Sequence, residues 1–140
     1  MLATPASATG PSSQSDADQS AFAIARDDAA GLIRVTGRGF WEPHFVDEHF
    51  ALLERALREV RAAGIAVRVL VDLRAAPVQS PQSAERVEAW TRRIYLRGDR
   101  VALILASSLM QTQMRRVAKV EDRAMFGSEP EALAWLMSRS

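Results

Sequence analysis

The spacing of apolar residues changes several times along the chain, and each change marks a new element. In AFAIAR (21–26), Phe22 and Ile24 alternate with small or polar neighbours, the two-residue period of a half-buried strand. DDAAG (27–31) supplies turn residues and a closing glycine, and LIRVTGRGF (32–40) continues as a second strand. So short a connection predicts a hairpin. From Trp41 to Gly64 the period lengthens. Val46, Phe50, Leu53, Leu57 and Val60 recur every three or four residues and form one helical stripe. Pro43 suits the first turn, Asp47 and Glu48 lie toward the positive end of the helix dipole, and Gly64 provides a stop.

VRVLVDL (67–73) returns to alternation, with Val67, Val69, Val71 and Leu73 on one face. Leu70 on the other face predicts that this side is partly covered too. A second helix is expected from Ser80 to Arg97, with Ser80 as N-cap, Pro81 in the first helical position, Val87, Trp90 and Ile94 facing inward, and Gly98 ending it. VALILA (101–106) is almost wholly apolar, which predicts an interior strand covered on both faces and lying beside VRVLVDL. Ser108 and Gln111 have the spacing of a capping box, opening a helix that buries Met110, Met114 and Val117. AMF (124–126) fits a short last strand. Ser128 and Glu131 repeat the capping-box spacing before a final helix with Ala132, Trp135 and Leu136 facing inward. The resulting order, a hairpin followed by alternating helices and strands, predicts a single α/β domain. Its four- to five-stranded mixed sheet carries mostly parallel strands joined by right-handed crossovers.

Composition adds exclusions. The 140 residues are 48% hydrophobic and 25% charged, a globular mixture, and 18 basic residues against 17 acidic leave a net charge of +1. Such a balance gives no electrostatic ground for nucleic acid as a partner. The absence of cysteine excludes disulfides, thiolate metal sites and cysteine nucleophiles, and is compatible with the expected cytoplasmic location. No apolar run approaches the roughly 20 residues of a membrane-spanning helix. The opening MLATPASATGPSSQSDADQS lacks the basic start and apolar block of a secretory signal. Its small and polar residues predict a flexible tail over 1–19, ahead of a domain over 20–140.

Three stretches carry a resemblance: VLVDLRAAPV after the first helix, GDRVALILASSLMQTQMRRVA, and the closing MFGSEPEALAWL. Together with the element order, they resemble the SpoIIAA-like group of the STAS family from Ala21 to the end of the chain. The resemblance implies a mixed sheet with its helices mainly on one face. It also implies a non-enzymatic role, since the better-known members bind and regulate other proteins. Some members share a fold relationship with lipid-carrying Sec14-like domains. In the regulatory members a phosphorylatable serine follows the third strand, in a pattern beginning D-L and ending D-S-S-G. Asp72 and Leu73 match the start. The end reads Ser80, Pro81, Gln82, Ser83, with proline where the phosphorylated serine falls and no glycine. That departure argues against a phosphoswitch at this position.

Candidate chemistry is sparse. A phosphate on Ser80 would meet free helix N–H groups, but a neutral hydroxyl capping the helix explains the residue as well. Asp72 is expected where a strand ends, the end at which open α/β sheets bind ligands. It could serve as a base, or accept hydrogen bonds from loop amides. His44, Glu48 and His49 invite a metal reading, but the histidines are five positions apart, about 140° around a helix, and do not converge as in H-E-x-x-H. One histidine near the apolar face of the first helical turn is the simpler expectation. Ser107 and Ser108 lack a nucleophile-elbow setting, and the glycines of GRGF lack the lysine of a phosphate loop. Arg86, Arg93 and Arg97 form one basic stripe, and Thr112, Arg116, Lys119 and Arg123 another, each diluted by acidic neighbours.

The expected function is therefore a non-catalytic binding or regulatory module that recognises a protein partner or a small ligand. The alternative is a lipid-binding or membrane-surface module. The candidate binding or regulatory residues are Asp72, Ser80, Ser83, Arg116 and Lys119, with no metal and no cofactor. Peripheral membrane contact and a homodimer are both compatible with the pattern.

Overall fold

A computed structural model describes residues 21–138 of the chain. The tail expected over 1–19 lies outside them. Strands β1 (Ala21–Asp27) and β2 (Leu32–Arg38) form the hairpin. They are followed by helix α1 (Pro43–Ala62), β3 (Arg68–Ala75), α2 (Pro81–Ile94), β4 (Arg100–Ile104), α3 (Ser108–Val117), β5 (Asp122–Phe126) and α4 (Glu129–Met137). The five described strands lie in the sheet in chain order. β1 runs antiparallel to β2, from Ala21 opposite Arg38 to Asp27 opposite Leu32. The remaining pairs are parallel, with Val35 beside Val71, Val71 beside Leu103 and Leu103 beside Met125.

The alternation along β3 and β4 divides the interior in two. Val69, Leu73, Val101 and Leu103 face α1, α2 and α3, and the whole α1 stripe of Val46, Phe50, Leu53, Leu57 and Val60 is buried against them. Leu70, Ala102 and Ile104 face the other way and meet Ala132 and Leu136 of α4. Three helices thus cover one face and one covers the other. Every residue of β4 is buried, as its unbroken apolar run requires.

Three boundaries and one cap differ from the sequence reading. α2 ends at Ile94, because Tyr95 turns to an extended conformation that buries its ring, and Gly98 serves the following turn at φ +95°. α3 is capped by Ser107, whose Oγ accepts from the Met110 N–H at 3.1 Å; Ser108 is already helical. Ser128 precedes α4, but its hydroxyl donates to Glu131 at 3.1 Å and caps no backbone amide. β3 continues three residues past Asp72, so Asp72 lies inside the strand and not at its end. The basic stripes break up for the same reason. Arg97 and Lys119 lie beyond their helices and Arg123 lies in β5, where its guanidinium donates to the Arg115 carbonyl at 2.8 Å.

Candidate binding surface

The loops leaving β2, β3 and β4 emerge at one end of the sheet because these strands are parallel. Two buried glutamines knit this end together. Gln79 accepts the Trp41 N–H through Oε1 at 2.8 Å, and donates through Nε2 to the carbonyls of Gly39 at 3.0 Å and Pro77 at 2.8 Å. Gln113, from α3, accepts the Gln79 N–H at 2.8 Å and returns a bond to the Gln79 carbonyl at 2.9 Å. The Trp41–Gln79 bond and both Gln79–Gln113 bonds are buried, so these groups need their partners. The bracket fixes the β2–α1 loop, the β3–α2 loop and α3 as one body.

α2 starts from this bracket. Ser80 caps it, accepting the Ser83 N–H at 3.2 Å, and Pro81 takes the first helical position. Ser83 is completely buried, and its hydroxyl donates to the Trp41 carbonyl. It is a strut between α2 and the β2–α1 loop. Gly37 lies under the same loop at an irregularity in the β2–β3 register. A Cβ there would sit 3.0 Å from side-chain atoms of Phe22, Trp41 and Leu73, so glycine permits this close approach.

Beside the bracket, α2 and α3 diverge to leave an open groove of about 750 Å³, with Val78, Pro81 and Ala84 on one wall and Arg116, Val117 and Lys119 on the other. Lys119 stands 3.9 Å from Glu88 across it, whereas Arg116 has no carboxylate partner among the described residues. Three exposed apolar side chains lie at this end: Phe40 at 66% and Val78 at 40% exposure on loops, and Leu109 at 72% in the first turn of α3. The structure thus brings Arg116 and Lys119 together on the groove, whereas Ser80 and Ser83 are not among its lining residues and hold the start of α2. Phe40, Val78 and Leu109 were missed in the sequence. Apolar residues at loop and helix-start positions, off any buried stripe, were the available signal.

Asp72 does not join them. Side chains alternate along β3, so Asp72 faces the α4 side with Leu70, across the sheet from α2. Its carboxylate accepts from the Arg74 side chain at 2.6 and 3.0 Å and from the Arg74 N–H at 3.1 Å. The Arg74 side-chain bonds hold its pKa below the ordinary carboxylate value. It is an anion paired with Arg74. The histidines do not converge either. His44 is exposed, while His49 is buried, and no cluster of three or more potential ligands could hold a metal ion among the described residues. No described helix is long and apolar enough to cross a membrane.

A five-stranded mixed sheet opened by a hairpin, with three helices on one face and a fourth on the other, defines the SpoIIAA-like fold. Solved structures bear this out. The chain is similar to a protein of the DUF3478 family with a SpoIIAA-like fold from Shewanella loihica, at 24% identity and a TM-score of 0.61, over 83% of this chain and 92% of that one. It is also similar to an anti-sigma factor antagonist from Mycobacterium paratuberculosis, at 13% identity and a TM-score of 0.57, over 84% and 94% of the two chains. No family model and no curated protein matches the sequence.

Proposed function

We propose that the chain is a non-catalytic regulatory module that binds a partner protein on the surface formed by the α2–α3 groove and the loops leaving β2, β3 and β4. The observation that carries this reading is the exposure of Phe40, Val78 and Leu109 at one end of the sheet, with Val78 lining the groove together with Arg116, which has no carboxylate partner among the described residues. Exposed apolar side chains next to a polar groove are what protein interfaces present before a partner covers them. The fold shared with an anti-sigma factor antagonist supports a regulatory role of this kind. A switch at Ser80 is no part of the proposal, because its hydroxyl already caps α2. A photo-crosslinking residue placed at Val78 or Arg116, in protein expressed in its own host, should trap one partner protein. The same residue at exposed Arg58 on α1 should not. Equal trapping from all three positions, or association with lipid vesicles alone, would overturn the reading.

A further inference from the structure

A second concavity lies between the edge strand β1 and helix α1, and it shares no residue with the α2–α3 groove. Phe22, Ile24, Phe45, Glu48, His49 and Leu52 line a cleft of about 370 Å³, within the usual range of small-molecule pockets. Behind it lies an apolar cavity of about 50 Å³ in the main core, and Phe22 and His49 line both spaces. His49 is only 5% exposed, and its Nδ1 is buried with no hydrogen-bond partner among the described residues. Phe22 stacks on one face of the imidazole, with centroids 3.9 Å apart and 11° between planes, and Phe50 meets the ring edge-on. The aromatic neighbours hold the ring in place without satisfying its nitrogen.

A buried nitrogen without a partner is costly, and leucine or phenylalanine would suit the α1 stripe better at this position unless something hydrogen-bonds there. We propose that the cleft binds a small uncharged apolar molecule bearing one hydroxyl group, such as a phenol or short alcohol, which hydrogen-bonds to the His49 imidazole. The walls supply the apolar contact. Glu48 at the rim disfavours an anionic head group. The cavity behind has room for a small substituent and not for a lipid chain. Burial lowers the pKa of His49 to about 4, so at neutral pH the ring is uncharged, with one N–H and one lone pair, and a hydroxyl can satisfy either.

The test uses the full chain with ¹⁵N-labelled histidine, titrated with p-cresol and with toluene, which matches its shape without the hydroxyl. The exposed His44, the other of the two histidines, is an internal control. p-Cresol should move a His49 ring nitrogen and leave His44 unchanged. It should also bind about tenfold or more tightly than toluene, because a site built for a hydroxyl rejects the analogue lacking it. In His49→Phe that preference should vanish. The comparison in the unsubstituted protein stands even if this variant fails to fold. Equal affinity for the two probes, no movement of the His49 nitrogens up to the solubility of p-cresol, or a His49 resonance that moves on removal of residues 1–19 would each overturn the proposal, the last by making the N-terminal segment the partner.

Discussion

Ser80 holds the Ser83 amide, and its proline neighbour is already set for the first turn of α2. Ser80→Ala should therefore lower stability by about 1 kcal/mol in urea unfolding, while Ser80→Asp, which keeps an acceptor at the positive end of the helix, should stay near wild type. If the alanine variant is fully stable, the cap contributes nothing. His49 makes a prediction in pH. Its folded pKa of about 4 lies below the ordinary 6.5, so between these values the unfolded chain binds the extra proton. Stability through this residue is complete above pH 6.5 and declines as pH falls toward 4. The loss by pH 4.5 should be roughly 2–3 kcal/mol. Denaturant titrations at several pH values should show that slope, and His49→Phe should flatten it.

Among elements, those with a strong period were legible and those made by distant polar contacts were not. The α1 stripe and the apolar β4 run need only nearest-neighbour spacing, and both are where the pattern put them. His49 also followed from spacing, since it stands three residues after Val46 on the same stripe. Gln79 and Gln113 could not be read. They are polar residues 34 positions apart, and most of their partners are backbone groups that carry no residue-type signal. The groove was half legible: Arg116 and Lys119 were visible as charges, but that they face α2 depends on where α3 ends. Gln79→Ala removes partners from the Trp41 amide and from two carbonyls at once, and should cost about 3 kcal/mol. The Gln79→Ala, Gln113→Ala pair should be non-additive, because both act on one bracket. Additivity in a double-mutant cycle would show that the loops and α3 are held independently.

For the whole molecule, the two faces of the sheet are unequal. Three helices share one large core, while among the described helices only α4 packs on Leu70, Ala102 and Ile104. Arg100 of β4 fastens the end of α4. Its guanidinium donates to the carbonyls of Trp135 and Ser138 at 3.0 and 2.9 Å, lies 4.0 Å from the centre of the Trp135 ring, and pairs with Asp122 at 3.1 Å. Helix and sheet are thus joined by one small apolar patch, by Arg100 at the end of α4, and by a partly exposed pair between Arg34 of β2 and Glu129 at the helix start, 3.2 Å apart. The two faces should therefore behave as cooperative units of different strength. α4 is expected to lift away as a sub-global opening while the strands stay paired and the other three helices stay seated. In native-state hydrogen exchange the α4 amides should follow a lower free energy than those of β3 and β4, and Arg100→Met should lower only the α4 value. The same opening would bare Leu70, Ala102 and Ile104, so within the domain over 20–140 limited proteolysis should cut first at the C-terminal helix and leave a shorter, still folded fragment.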